Sequence, residues 1–247
     1  MEFEIKNHVR QSEVDTKNRM RPAVIIELMQ EAAAQHCFSL GKDAWQMIEE
    51  DHRTWIISRM NMEIVKQIPM YTDIDVRTGR NEGKAATFPR SYDIRSNGEI
   101  LAKGFGQWAC VDVDNGSLVK FNDFYEGNSN FGLERIEMSL PDKFRVSPDL
   151  VFNKVSELEV TRHMTDVNGH VNNAKYVDPL WDALPLFDDY NVTGFSIYYK
   201  HECKLGETLD ITMSEPERIS ANKVEIFQKV DVCGENRLQA KWILSKR

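Results

Sequence analysis

Between Thr165 and Tyr176 the chain reads TDVNGHVNNAKY, which sets a carboxylate, a carboxamide and an imidazole at alternate positions: Asp166, Asn168 and His170. A loop of this kind can aim three polar side chains at one point. The free N–H groups of a helix starting just beyond it can stabilise a developing oxyanion in the same place. That set suits acid–base work on a carbonyl, in which carboxylate and imidazole take a proton from water while donors hold the new charge. The same residue types also make ordinary turns and helix caps, so spacing alone leaves both readings open.

Glu202 and Cys203 follow in the segment YYKHEC. Neighbours on a strand point to opposite faces, so only one of the two can easily face His170. Glu202 would be a second carboxylate that orients a water. Cys203 would instead be a nucleophile, with His170 as base and Asn168 as orienter. Otherwise Cys203 is a small buried apolar residue.

The elements that must carry these groups follow from periodicity. Pro22 to about Leu40 repeats apolar residues at helical spacing (Val24, Leu28, Ala32; Ile25, Met29, Ala33), with Pro22 in the first turn and Gly41 as the stop. His36 falls on that face and reads as a packed histidine. A second helix is expected from Asn172–Asn173 to Leu184, where Pro179 either kinks it or opens a second short helix capped by Asp178. Alternating stretches around Ile74, Tyr92, Ile197 and Leu209 read as antiparallel strands, and Asn97-Gly98 marks a hairpin.

The order short strand, long helix, run of strands occurs twice. Ile74 and Val76 match Leu209 and Ile211 at an offset of 135, Gly98-Glu99 matches Gly234-Glu235 at 136, and Lys103 matches Lys241 at 138. An internal duplication is therefore expected. Each long helix is buried only if its antiparallel sheet curls round it, so the fold class is α+β, a tandem hotdog. The expected parts are a first hotdog over 1–120, a polar, turn-rich linker over 121–148 and a second hotdog over 149–247. Aligning Asp15 with Asp166 places Lys17 and Arg19 where Asn168 and His170 stand, so the first copy keeps the frame and lacks the chemistry.

Composition excludes several classes. The 247 residues are 41% hydrophobic and 28% charged, ordinary for a soluble globular protein. No run of apolar residues is long enough to span a membrane, and no secretory signal is visible. The net charge of −8 disfavours nonspecific nucleic-acid binding. Residues 1–120 carry −2 of it and the remainder −6, so an acidic partner would prefer the first half. There Arg77, Arg80, Lys84, Arg90 and Arg95 read as a solvated sheet face or a docking surface. The cysteines Cys37, Cys110, Cys203 and Cys233 show no CxxC spacing, and no HExxH occurs, so free thiols in a reducing cytosol are expected, with no metal or cofactor. Gly104-Phe105-Gly106 lies in a strand pattern and reads as close backbone packing or a bulge rather than a phosphate loop.

The segment DVNGHVNNAKY, together with YYKHEC, resembles the signatures of the acyl-acyl-carrier-protein thioesterases, the chain-terminating enzymes of plant plastids and their bacterial relatives. The layout of the whole chain agrees, and these two stretches agree closely. The resemblance implies hydrolysis of fatty acyl thioesters carried by acyl carrier protein. It places the catalytic groups Asp166, Asn168, His170, Glu202 and Cys203 in the second hotdog and most of the acyl-chain pocket in the first. Pro179, inside the motif helix, departs from the family pattern, as does the run Lys204-Leu205-Gly206 after Cys203. A cytoplasmic homodimer is expected, with a hotdog enoyl-thioester hydratase or dehydratase and a non-enzymatic carrier-protein or acyl-chain binding module as the alternatives.

Overall fold

The computed structural model describes residues 3–41, 43–81, 83–120, 144, 146–185 and 188–247. The chain divides into two compact units, Met1–Leu140 and Pro141–Arg247. Most of the expected linker, 121–143 and 145, lies outside the described residues.

The first unit contains β1 (Phe3–His8), α1 (Pro22–Ser39), α2 (Ala44–Asp51), β2 (Arg53–Ile64), β3 (Asp73–Arg80), β4 (Phe88–Ser96) and β5 (Glu99–Asp112). Its strands are all antiparallel, in the order β1-β3-β4-β5-β2. Helix α1 starts on Pro22, whose missing N–H costs nothing there, and buries Val24, Ile25, Met29, Ala32, Ala33 and His36. Gly104 lets it lie close: a Cβ there would stand 2.5 Å from the Met29 sulfur. Asn97 and Gly98 both have positive φ in the β4–β5 hairpin, the primed turn that matches strand twist.

Helix α2 was not expected from periodicity. Its signal is a capping box, in which the Asp43 side chain accepts from the Gln46 N–H and the Gln46 side chain returns to the Asp43 N–H. Met47 anchors it against Phe88 and Cys110.

The second unit contains β6 (Phe152–Glu159), α3 (Val177–Asp182), β7 (Tyr190–Tyr199), β8 (Thr208–Ser214), β9 (Glu217–Ser220), β10 (Lys223–Val232) and β11 (Glu235–Lys246). Its strand order is β7-β11-β10-β8-β6, with β9 added to β10. The expected long helix is short: a 3-10 turn over Asn173–Tyr176 runs into α3, with Tyr176 rather than Asp178 at the N-cap position. Pro179 sits in the first turn of α3, where it is tolerated. The fully buried Gln228 ties this helix to the sheet. It donates to the Leu180 carbonyl at 2.9 Å and accepts from the Trp242 indole at 2.6 Å.

The duplication is visible bond by bond. In the first unit Val9 donates to Thr72 and Tyr71 to Val9; in the second Val160 donates to Glu207 and Gly206 to Val160. Val65 and Lys66 both donate to the Leu101 carbonyl, as Lys200 and His201 both donate to that of Arg237. Tyr71 and Gly206 share a positive φ. The expected match of Lys103 with Lys241 slips by two residues. Ala102 faces Ile94 as Leu238 faces Val230, so Lys103 corresponds to Gln239.

Three of the five basic residues expected on a solvated face or docking surface of the first unit are engaged within it, while Lys84 is exposed. Arg90 is buried, with Nη1 3.0 Å from His36 Nδ1 and 3.2 Å from the Thr78 hydroxyl. Arg77 and Arg95 both bind the carboxylate of Asp93, which is fully buried beneath them. Strand pairing brought a carboxylate to these arginines that linear charge counting does not register.

Candidate active site

The loop 165–171 is a tight turn built by Asp166. Its carboxylate Oδ1 accepts the N–H of Asn168 at 2.9 Å, its own N–H donates to the His170 carbonyl at 2.9 Å, and its carbonyl accepts from Gly169 at 3.0 Å. Gly169 has φ +76°, the left-handed conformation that the turn requires and glycine adopts without strain. Thr165 and Val171 close the turn as an isolated antiparallel bridge. The result is alternation: Asp166, Asn168 and His170 are half-buried while Val167 and Gly169 are exposed.

A second segment meets this turn from the end of β7. The strand stops at Tyr199, so 201–203 is irregular rather than the strand expected. His170 bridges Lys204, and the Val171 N–H donates to the Cys203 carbonyl at 2.9 Å. These bonds bring Glu202 Oε2 to 3.2 Å from His170 Nε2, in an environment open to solvent at the carboxylate. Cys203 points the other way. It is fully buried beside Tyr176, and burial pushes its thiol above the usual range.

Two N–H groups of the helix start are already bonded. Asn172 caps it, accepting from the Ala174 N–H at 3.0 Å on its side chain and from Lys175 at 2.8 Å on its carbonyl.

The first unit holds the same turn without the same chemistry. Asp15 Oδ1 accepts from Lys17 N–H at 2.8 Å, Asp15 N–H donates to the Arg19 carbonyl at 2.8 Å, and Asn18 takes the positive-φ position of Gly169. Arg19, at the place of His170, donates Nε to the Asp15 carboxylate at 2.7 Å. Gln67 stands where the second unit has Glu202. The shared aspartate thus forms the turn in both units, and the differences that matter for chemistry fall at 168, 170 and 202.

His36 is buried in the first unit with its ring stacked on Phe3 at 5.2 Å. His52, His163 and His201 are exposed beside Asp114, Thr161 and Glu235. Tyr176 was not singled out from the sequence as part of the site. Comparison of the two halves position by position contains that signal.

Two family profiles match this chain: the acyl-ACP thioesterase N-terminal domain over residues 1–126 and the acyl-ACP thioesterase C-terminal domain over residues 150–244. Among curated relatives, a chloroplastic acyl-[acyl-carrier-protein] hydrolase of Cuphea viscosissima is 24% identical over 235 residues, 85% of this chain and 54% of the relative. A chloroplastic oleoyl-acyl carrier protein thioesterase of Arabidopsis thaliana is 24% identical over 227 residues, 84% of this chain and 61% of the relative. The chain thus spans between half and two thirds of the length of these relatives. Among solved structures, an acyl-ACP thioesterase from Bacteroides thetaiotaomicron superposes with TM-score 0.83 at 20% identity, covering 99% of this chain and 98% of the other. A 12:0-ACP thioesterase from Umbellularia californica gives TM-score 0.82 at 19% identity, covering 100% and 94%. These superpositions establish the tandem hotdog fold.

Proposed function

The chain belongs to the acyl-ACP thioesterase family, and from that premise we propose that it hydrolyses fatty acyl thioesters of acyl carrier protein to free fatty acid and carrier thiol. The observation that carries the reading is the contact of 3.2 Å between His170 and Glu202 beside the Asp166 turn. A carboxylate held against an imidazole forms a base that can accept a proton from water and return it.

In this mechanism Glu202 orients His170 and the attacking water, and His170 takes the water's proton as its oxygen bonds to the thioester carbon. Asn168 and the protonated imidazole hold the oxyanion. The C–S bond then breaks, and the thiolate leaves with the proton from His170. Asp166 fixes the turn and presents its second carboxylate oxygen to the water. Cys203 is not the nucleophile, because a reactive cysteine needs an accessible, acidified thiol and this one is buried and raised. The acyl chain belongs in the first hotdog by the family division, and β1 and β6, the terminal strands of the two units' sheets, are surfaces a second copy would cover in a homodimer. Localisation in the cytoplasm is part of the same reading.

Thiol release from a panel of acyl-carrier-protein and coenzyme A thioesters tests it. Release from the carrier-protein substrates, lost in His170→Ala, supports the reading. Absence of release by folded wild-type protein, or a change in enoyl absorbance instead, defeats it.

A further inference from the structure

Three positions beneath the turn, buried or half-buried, differ between the two units in one consistent way. The bond pattern aligns Ile25 with Tyr176, Ile64 with Tyr199 and Ile68 with Cys203: Met20 N–H donates to the Ile68 carbonyl at 2.8 Å as Val171 N–H donates to that of Cys203 at 2.9 Å. Ile64 faces Ala102 on the neighbouring strand as Tyr199 faces Leu238. In the first unit the turn therefore rests on three buried isoleucines. In the second it rests on two phenols and a thiol. Tyr199 hydroxyl donates to the Asn173 carbonyl at 2.8 Å, the Tyr176 and Tyr199 rings lie 6.0 Å apart, and Tyr176 lies beside the buried Cys203.

Burying hydroxyls costs free energy unless each is bonded, and apolar side chains serve a core at least as well. The first unit proves the point inside the same chain, since isoleucines support the same turn there. The polar trio is thus not required to make the turn. It touches the two segments that carry the reacting groups: Cys203 adjoins Glu202, and Asn173 and Tyr176 begin the helix that follows His170. We propose that Tyr176 and Tyr199 are positioning residues, which lock the Glu202–Cys203 segment to the start of the helix and so hold Glu202 against His170. A satisfied buried hydrogen bond adds a fixed direction and distance to what apolar packing alone specifies. This inference rests on the hydrolase reading for its kinetic consequence only.

The test is Tyr176→Phe and Tyr199→Phe, which remove the hydroxyls and keep the rings, with Cys203→Ser and Cys203→Val beside them. The expected result is near-native circular dichroism, kcat on acyl-carrier-protein substrate lowered by about 10- to 100-fold with KM within about twofold, and displaced His170 ring resonances in the NMR spectrum. Cys203→Ser, which keeps a polar side chain beside Tyr176, should lose less than Cys203→Val. Wild-type kcat and unmoved His170 resonances in both tyrosine variants would overturn the proposal. So would activity that falls only in proportion to the unfolded fraction. If wild-type protein releases no thiol, the hydrolase reading fails, and the His170 resonances still decide whether the tyrosines position the pair.

Discussion

Cys203 occupies in the second unit the place that Ile68 occupies in the first: each is buried, and each lends its carbonyl to the residue that closes the Asp-initiated turn. A position filled by isoleucine in one copy is a core position. The buried cysteine of the site motif thus occupies a packing position, and the neighbouring Glu202 makes the contact with His170.

Thiol reactivity follows from this placement. Burial raises Cys203 and also lifts Cys110 to about 11, whereas Cys233 is exposed. Alkylation of the native protein at pH 8 should label Cys233 first and leave Cys110 and Cys203 unmodified, as peptide mass mapping can check. Labelling of Cys203 before Cys233 would refute its structural assignment.

The aspartate of the turn serves structure before chemistry. Asp166→Ala removes the acceptor for the Asn168 N–H and should loosen the loop as well as the reaction, at about 1 kcal/mol in stability. Asp166→Asn keeps an acceptor oxygen and should spare the melting temperature while still lowering kcat. Equal melting temperatures for both variants would show that the turn bond is dispensable.

Stability should fall on mild acidification through His36. Burial, followed by the Arg90 cation, lowers its pKa to about 4 from 6.5, and a neutral ring is what accepts the Arg90 N–H. Between those values the unfolded chain binds the extra proton, so folded-state stability decreases as pH falls from about 6.5 towards 4. At about 1.4 kcal/mol per pKa unit the loss is on the order of 3.5 kcal/mol over the whole span, of which about 2 kcal/mol falls by pH 5. Urea unfolding at pH 7 and pH 5 should show the drop, and His36→Gln should flatten it. An equal drop in that variant assigns the slope to other groups.

Close packing of α1 on the sheet depends on Gly104. Gly104→Ala puts a methyl 2.5 Å from Met29 Sδ and should destabilise by about 1–3 kcal/mol, and shortening the contact with Met29→Ala should relieve part of the strain in the double variant. Additive losses would mean that the two residues do not collide.

Much of this architecture was legible in the chain. The strand patterns, the Asn97-Gly98 hairpin, α1 and the twofold repeat follow from local periodicity and turn chemistry. The length of the second helix did not, because Pro179 fits either a kinked long helix or the first turn of a short one, and tertiary packing through Gln228 decides. The fate of Arg77, Arg90 and Arg95 was hidden for a different reason. Their partners Asp93, Thr78 and His36 come from neighbouring strands and a helix, which linear spacing does not pair. The candidate site was legible as residue types, and the direction in which Glu202 and Cys203 point required the bond between Val171 and Cys203.

Thiol release from one acyl-carrier-protein substrate by wild type, His170→Ala, Glu202→Gln and Cys203→Ser, measured side by side, tests the central claim most directly. The account predicts rapid release by wild type, losses of about 10²- to 10⁴-fold in the first two variants and no more than about tenfold in Cys203→Ser. Abolished release in Cys203→Ser with near-normal release in Glu202→Gln would contradict it and make the cysteine the nucleophile.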